Sequence, residues 1–281
     1  MPAGQPLNVF LMNETTQSQN TSTAQSRNTK IAVIGAGDLG TSVIDSLYTN
    51  GHRNILATRR DADKLSLLGE TYDISTTTSN REAAEYADII ILGVKPAFIE
   101  TVCNEIAGYT EAKLVISLAA AVPIKKIQNT LGKARVARVM TDLSVQESVA
   151  CYSLSKNCSD YDTEAIEYIF GADAEQVKES MLAARTAVAC HEGILAMELD
   201  VIRETLMEQG YSAKQASAIL AGTLRGISSH LERGSSGRQI YDRVAGPSSF
   251  TAKMHDFIAG QGYFRLVREY FGKVIEACSS K

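Results

Sequence analysis

The stretch that most constrains the fold is residues 30–40, Lys-Ile-Ala-Val-Ile-Gly-Ala-Gly-Asp-Leu-Gly, in which a short apolar run leads directly into three glycines. The apolar run is rich in β-branched side chains, which is typical of a buried parallel strand. The residues from Thr41 to Tyr48 have the amphipathic pattern of a helix. Because a G-x-G-x-x-G spacing between a strand and a helix is the fingerprint of a dinucleotide-binding turn, we expect such a turn here.

The three glycines of this turn have different tasks. Gly35 permits a tight turn, Gly37 lets the backbone approach a pyrophosphate, and Gly40 allows the helix to pack closely on the strand. The start of the helix offers free N–H groups and the positive end of its dipole to phosphate oxygens. The predicted cofactor-binding residues of the turn are Gly35, Ala36, Gly37, Asp38, Leu39 and Gly40. Because its carboxylate would repel a phosphate, Asp38 is expected to turn away and cap the helix.

Between residues 30 and 155, short apolar segments alternate with amphipathic ones. The predicted strands after the first are 54–57, 74–78, 89–94, 114–118 and 135–140, and the predicted helices after the first are 61–69, 79–87, 97–106 and 124–131. Strands that alternate with helices in this way predict an α/β fold of the Rossmann type, with a doubly wound, mainly parallel sheet. We therefore expect residues 30–155 to form a dinucleotide-binding domain.

Beyond residue 160 the pattern becomes helical. Predicted helices cover 164–170, 174–185, 187–209, 213–232 and 250–260. These segments predict an all-α domain over residues 160–281. The helix that begins at Ala213 is almost continuously apolar and small as far as Gly226, and such a helix usually packs against another chain or a neighbouring helix of a bundle. The C-terminal domain is therefore predicted to form a homodimer or a higher homo-oligomer.

The first 29 residues differ from both domains. Fourteen of the seventeen residues from Asn13 to Thr29 are Asn, Gln, Ser or Thr. Such a segment buries too little apolar surface to offset the entropy lost on ordering. The sequence predicts a disordered polar tail at residues 1–29.

Charge and composition exclude several classes of partner. The net charge of −4 gives no reason to expect a nucleic acid or an anionic membrane, and no apolar run is long enough to span a bilayer. Five scattered cysteines without a C-x-x-C pair indicate reduced thiols and a cytoplasmic protein. No histidine stands at ligand spacing from another histidine or a cysteine, so no metal site is predicted.

The residues after the second strand indicate which cofactor is bound. An acidic residue there binds the 2′-hydroxyl of NAD, whereas an arginine accommodates the 2′-phosphate of NADP. Thr58, Arg59 and Arg60 occupy this position, and a guanidinium group matches phosphate geometry. NADP(H) is therefore favoured over NAD(H), with these three residues in the site. The alternative is that the arginines are only solvated charges at the entry to a helix.

Five motifs occur in order from residue 30 towards the C-terminus. They are the glycine turn at 35–40, Gly-Val-Lys-Pro at 93–96, Ser-Leu-Ala-Ala-Ala at 117–121, Arg-Val-Met at 138–140 and Asp-Arg-Val-Ala-Gly-Pro at 242–247. Together with the helical second half, this series resembles the pyrroline-5-carboxylate reductase family. The resemblance adds five residues to the expected cofactor site: Val94, Lys95, Pro96, Ala119 and Met140.

The resemblance implies NADPH-dependent reduction of a small cyclic imino acid, by default 1-pyrroline-5-carboxylate to L-proline. Hydride would pass to the imine carbon. The family holds the substrate carboxylate on backbone N–H groups of a Ser-Pro-Gly-Gly-Thr-Thr loop at a helix start, and residues 246–251 match that loop. The substrate-binding residues implied are Ser248, Ser249, Phe250 and Thr251. Thr251 matches the family's hydrogen-bond or proton donor, and a plain helix-cap hydroxyl is the alternative for it.

Two motifs at the substrate end depart from the family pattern. The family's Met-Pro-Asn-Thr-Pro, which lines the nicotinamide end, is Met-Thr-Asp-Leu-Ser at residues 140–144. Its Ser-Gly-Ser-Gly-Pro-Ala is Ala-Cys-His-Glu-Gly-Ile at residues 189–194. His191 is thereby a candidate catalytic acid, because histidine titrates near neutral pH. The alternative for His191 is a structural role at a domain interface.

Two further functions fit the same residues. One is a non-catalytic NADP-binding sensor or scaffold derived from the family, which the altered motifs support. The other is a reductase or dehydrogenase of another small imine, or of a keto or hydroxy acid. The 3-hydroxyacid dehydrogenases share the two-domain plan but rely on a lysine in the inter-domain helix, and residues 187–199 contain none.

Overall fold

The structure, a computed structural model, describes residues 28–279. The predicted tail at residues 1–29 lies almost wholly outside that range. The chain divides into two compact units, and it passes from the first to the second after Thr186. The second unit extends from Ala187 to Glu276, and the residues from Ala277 onward group with the first unit.

The first unit is built on one sheet, which has eight strands within the described residues. In chain order they are β1 (Ile31–Ile34), β2 (Ile55–Thr58), β3 (Ser75–Thr77), β4 (Ile89–Leu92), β5 (Leu114–Ser117), β6 (Arg135–Met140), β7 (Cys151–Leu154) and β8 (Glu175–Gln176). Their order across the sheet is β3-β2-β1-β4-β5-β6-β7-β8, and only the β6–β7 pair is antiparallel. The order reverses direction between β1 and β4, which is where open α/β sheets bind ligands beyond the strand ends. The predicted Rossmann-type sheet is confirmed.

Helices cover both faces of this sheet. They are α1 (Asp38–Thr49), α2 (Ala62–Tyr72), α3 (Asn80–Tyr86), α4 (Ile99–Ile106), α5 (Ile124–Leu131) and α6 (Asp160–Phe170). Side chains of a strand alternate between faces, so Ile31 and Val33 enter one apolar core while Ala32 and Ile34 enter the other. All four residues of β1 are fully buried. A strand buried on both faces holds the glycine turn that follows it in a fixed position.

The second unit is entirely helical in the described residues. Its helices are α7 (Leu182–Glu208), whose first turn lies in the first unit, α8 (Ala213–Glu232), α9 (Gly237–Val244), α10 (Phe250–Gly260) and α11 (Tyr263–Ser279). The sequence predictions omitted α9 and α11. Between residues 187 and 276, only Ala187 and Ala216 are buried apolar residues. No helix in the described part of the chain is long and apolar enough to cross a membrane.

Two predictions about the junction of the domains are wrong. Residues 174–185, predicted as a helix, form β8, a 3-10 turn at Glu179–Met181 and only the first turn of α7. Pairing of β8 with β7 and the bond from the Ile124 N–H to the Glu179 carboxylate (2.7 Å) override the local helical pattern. The predicted domain boundary at 155–160 is also too early, because α6 packs Ile166 and Phe170 into a core of the sheet.

Candidate functional site

The glycine turn is held by close packing at two of its three glycines. Gly35 has a positive φ of 88°, and a side chain there would collide with Val94. A Cβ at Gly40 would lie 2.7 Å from the carbonyl oxygen of Gly35, and one at Gly93 would meet the same oxygen at 2.7 Å. These contacts allow α1 to start directly against β1 and β4.

Gly37 differs, because a Cβ there would meet no described atom within 4 Å. The first bond of α1 runs from the Thr41 N–H to the Gly37 carbonyl (2.8 Å), so the N–H groups of residues 38–40 point out of the helix start. An open cradle lined by free N–H groups fits a pyrophosphate. The expectation that Asp38 caps α1 is wrong: Gly37 is the N-cap residue, and Asp38 lies one position too late, inside the helix.

The end of β2 supports the turn from the neighbouring strand. The Gly35 N–H donates to both the carbonyl (3.1 Å) and the hydroxyl oxygen (3.2 Å) of Thr58, and the Ala36 N–H donates to the same carbonyl (2.8 Å). The Thr58 hydroxyl in turn donates to Asn80 Oδ1 (2.8 Å), and Asn80 Nδ2 donates to Glu105 Oε2 (2.7 Å). Thr58 therefore positions the turn. The sequence predictions missed Asn80 and Glu105, because only the tertiary fold brings them to Thr58.

The two arginines after β2 stand beside the same turn. Arg59 Nη1 donates to the Ala36 carbonyl at 2.8 Å. The exposed Arg60 places its guanidinium carbon 4.8 Å from the ring centre of Phe98. Two guanidinium groups thus lie at the ends of β1 and β2, where a dinucleotide fold places the adenosine ribose.

The remaining predicted cofactor residues follow the ends of three neighbouring strands. They are Val94, Lys95 and Pro96 after β4, Ala119 after β5 and Met140 at the end of β6. The strand predicted at 89–94 ends at Leu92, and Lys95 begins a 3-10 turn. Ala119 is buried, and its N–H donates to Ser117 Oγ at 3.3 Å. Since β1, β2, β4, β5 and β6 are parallel, these residues share one sheet edge with the glycine turn.

The second unit contains the loop that was matched to the substrate carboxylate. Ser248 has a positive φ of 62°, a conformation that favours glycine. Ser249 is the N-cap of α10: its hydroxyl accepts from the Ala252 N–H (3.1 Å), and its own N–H donates to the Gly246 carbonyl (3.0 Å). The Ser249 N–H is therefore already bonded within the loop. The free N–H groups at this helix start belong to Phe250 and Thr251.

Thr251 is the second residue of α10, and its hydroxyl is not the helix cap. The cap is Ser249, so the alternative reading of Thr251 as a cap hydroxyl is wrong. His191 lies on α7, with its ring centre 5.3 Å from that of Phe271 and 6.4 Å from that of Tyr270 on α11. Its Nδ1 is buried and has no hydrogen-bond partner in residues 28–279. The structure shows no bond between His191 and Thr251.

Within residues 28–279, no three His, Cys, Asp or Glu side chains are placed together to hold an ion.

The family model described as "NADP oxidoreductase coenzyme F420-dependent" matches residues 30–121. A pyrroline-5-carboxylate reductase of Methanosarcina acetivorans is 30% identical over 235 residues, 80% of this chain and 87% of the relative. A solved pyrroline-5-carboxylate reductase structure from Coxiella burnetii has a TM-score of 0.74 at 24% identity. One from Plasmodium falciparum, solved with NADP bound, has a TM-score of 0.80 at 20% identity. Each structural match covers 90% of this chain and 98% of the other.

The solved structures share the fold, and the archaeal relative shares enough sequence across most of both chains to establish kinship. The glycine turn with its open cradle fits the pyridine nucleotide that such proteins use. The chain belongs to the pyrroline-5-carboxylate reductase family and is an NAD(P)-dependent oxidoreductase.

Proposed function

We propose that the protein reduces 1-pyrroline-5-carboxylate to L-proline with NADPH. The observation that carries the proposal is the open helix start at Gly37, flanked by Arg59 and Arg60, in a chain of this family. A bound nicotinamide cofactor supplies the hydride. The hydride goes to the imine carbon and a proton goes to the imine nitrogen, so one cyclic imine and one NADPH are consumed for each proline formed.

At the cofactor end, the free N–H groups of residues 38–40 bind the pyrophosphate, and Arg59 and Arg60 bind the 2′-phosphate. Arg59→Ala should raise the Kd for NADPH by about tenfold and leave the Kd for NADH nearly unchanged, because NADH lacks that phosphate. Arg53→Ala, at the opposite end of β2, is the matched control and should change neither Kd. An equal effect of Arg59→Ala on both cofactors would contradict the phosphate assignment.

At the substrate end, the N–H groups of Phe250 and Thr251 hold the substrate carboxylate, and the Thr251 hydroxyl donates to the imine nitrogen. Support comes from the helix start, where Ser249 takes the cap position and leaves the Thr251 hydroxyl available. Thr251→Ala should lower kcat by about 100-fold, and Thr251→Ser should retain most of it. His191 is the second candidate donor.

His191→Phe keeps the aromatic packing against Tyr270 and Phe271 while removing the titratable ring. It should leave kcat nearly unchanged if His191 serves packing. A large loss in His191→Phe together with full activity in Thr251→Ala would transfer the donor role to His191. Full kcat in both variants would contradict this model of the site.

We also propose that the second unit assembles with a second copy of the chain, as a homodimer or a higher homo-oligomer. With only Ala187 and Ala216 as buried apolar residues, this unit lacks a core of its own. On α10, Phe250, Met254 and Phe257 are 88%, 66% and 69% exposed, and their spacing places them on one helix face. Identical copies supply a self-complementary apolar partner.

The protein is further proposed to act in the cytoplasm. Its five cysteines are all within the described residues and none forms a disulfide. Free thiols of this kind persist in a reducing compartment.

One assay separates this function from its two alternatives. Loss of NADPH absorbance is followed with 1-pyrroline-5-carboxylate, then with other cyclic imines, and then with short keto acids. Turnover on the first substrate supports proline synthesis, and turnover only on another class identifies a different reductase. Tight NADPH binding without turnover of any of these substrates would contradict the proposed catalytic activity and favour a sensor or scaffold.

A further inference from the structure

An ion pair lies at the end of β6, in the loop that leads to β7. Asp142 follows the last residue of β6 by two positions, and Arg185 lies near the start of α7. Arg185 Nη2 donates to Asp142 Oδ2 at 3.0 Å, and Arg185 Nε donates to the Val149 carbonyl at 3.1 Å. The two side chains are only 12% and 16% exposed. Arg185 therefore holds the loop near both of its ends.

Each member of the pair has a polar atom that the chain leaves unpaired. Asp142 Oδ1 and Arg185 Nη1 are both buried and have no hydrogen-bond partner in the described part of the chain. A buried polar atom without a partner costs free energy, so such an atom in a native protein calls for a specific partner. The same ion pair thus has one acceptor and one donor without a partner in the described residues.

The chemistry of these two atoms specifies the kind of group that fits. A primary amide has N–H donors and one carbonyl acceptor, which complement a carboxylate oxygen and a guanidinium N–H. The pair carries no net charge, so it suits a neutral amide. A carboxylate ligand would be attracted by Arg185 and repelled by Asp142.

The place of the pair connects it with the cofactor. The parallel strands β1, β4, β5 and β6 end at one edge, beyond which dinucleotides bind in this kind of sheet. On the basis of the proposed function, we propose that Asp142 and Arg185 bind the carboxamide of the nicotinamide ring and so position that ring. Because Oδ1 is buried in this structure, the proposal requires the Asp142 carboxylate to rotate about its soft terminal torsion when the cofactor binds. The family motif has asparagine at this position, so the acid is a departure in this chain.

The test compares the Kd of NADP⁺ with that of its 3-acetylpyridine analogue, which keeps the carbonyl acceptor and lacks the amide N–H. The native protein should bind NADP⁺ about tenfold more tightly. In Asp142→Asn the side-chain oxygen stays with Arg185 and the NH₂ group faces the amide, so the ratio should fall to about one. The double variant Asp142→Leu with Arg185→Met removes both charges together and should also give a ratio of about one.

A third probe, 2′,5′-ADP, separates this proposal from the proposed function. It lacks the nicotinamide, so its Kd should be the same in the native protein and the variants. Failure of 2′,5′-ADP to bind the native protein would count against the NADP site itself. If 2′,5′-ADP binding is unchanged and Asp142→Asn still binds NADP⁺ tenfold more tightly than the 3-acetylpyridine analogue, only the carboxamide assignment is overturned. The ion pair would then have a structural role. Equal Kd values of the native protein for NADP⁺ and the 3-acetylpyridine analogue would also overturn the carboxamide assignment.

Discussion

The two units of this protein differ in how much apolar surface each buries within one chain. In the first, every residue of β1, β2, β4 and β5 is buried, and two apolar cores lie on opposite faces of the sheet. In the second, 90 residues of helix and turn bury only two alanines, while residues such as Met197 and Val201 stay mostly exposed. The first unit thus has its own core within one chain, and the second is the unit that we propose assembles with another copy.

This difference matches where the chain follows its family and where it departs. The cofactor turn lies on the self-contained sheet and keeps all three glycines. The loop at residues 246–251 lies on the unit that lacks its own core, and serines replace both glycines there. Ser248 nevertheless adopts the backbone conformation that a glycine would adopt. At Ser248 the loop therefore combines a backbone conformation typical of glycine with a serine side chain.

The largest effect should come from the turn of the first unit. Gly35→Ala forces a side chain into the positive-φ region and against Val94, and it should lower the free energy of unfolding by about 3 kcal/mol or more. Gly37→Ala meets open space, so its unfolding free energy should change by less than about 1 kcal/mol while NADPH binding weakens by at least about tenfold. Urea unfolding and a cofactor titration measure the two effects. Equal stability losses would show that Gly37 is also a packing position.

The next effect tests whether the second unit is completed by another copy. Val201 on α7 is 64% exposed, and Val201→Glu places a charge on the apolar face. If that face is an interface, the dissociation constant of the oligomer should rise by about 100-fold or more. Light scattering over a dilution series measures it. Glu208→Lys, an exposed charge change on the same helix, is the control, and an unaltered assembly in Val201→Glu would contradict the self-association surface.

A smaller effect arises from a histidine buried in the first unit. His52, before β2, is fully buried, and its Nδ1 lies 3.1 Å from the Tyr168 hydroxyl. Burial lowers the pKa of His52 below its ordinary 6.5, and the charge of Arg53 acts in the same direction. As the pH falls, this histidine therefore binds a proton in the unfolded chain before it does so in the folded protein. Its neutral buried form contributes fully to the free energy of unfolding above pH 6.5, and that contribution is lost as the pH falls below this value.

The measurement is the urea midpoint at about pH 7.5 and about pH 5.5 in the native protein and in His52→Gln. The native midpoint should fall more on acidification than that of the variant. Parallel pH dependence in both would show that other groups control acid sensitivity.

The smallest changes in the free energy of unfolding are expected at two adjacent serines in the second unit. Ser248→Gly relieves the positive φ and should raise the free energy of unfolding by about 0.5–1 kcal/mol. Ser249→Ala removes the cap of α10 and should lower it by about 1 kcal/mol. Thermal unfolding at one fixed protein concentration gives both values, since the stability of an oligomer depends on concentration. Opposite signs at neighbouring serines would support the loop geometry, and equal signs would contradict it.

A structural feature can be predicted from the sequence when it depends on residues that are close together in the chain. The strand, turn and helix around Gly37 and the bounds of α5 and β6 depend on residues close in the chain, and these predictions are confirmed. The segment 174–185 has helical periodicity but is held by β7 and by the Ile124 N–H, so tertiary contacts decide its structure. The Asn80–Glu105 hydrogen bond joins residues 25 positions apart, and no local sequence pattern predicts it.

The loop at residues 246–251 shows the same limit. The resemblance to a family motif indicates Thr251, but only the folded structure shows that Ser249 is the cap and that its N–H is already bonded. The ordinary titration range of histidine makes His191 a candidate acid, whereas the structure surrounds its ring with the aromatic rings of Tyr270 and Phe271. Side-chain chemistry can be inferred from sequence, and hydrogen-bond partners depend on packing.

The most direct test of the central claim is to supply NADPH deuterated at the transferable position together with 1-pyrroline-5-carboxylate and to analyse the product by mass spectrometry. One L-proline should form for each NADPH oxidised, with a single deuterium on the ring carbon that had been the imine carbon. Proline without deuterium, or bound NADPH that stays unoxidised with this substrate, would contradict it.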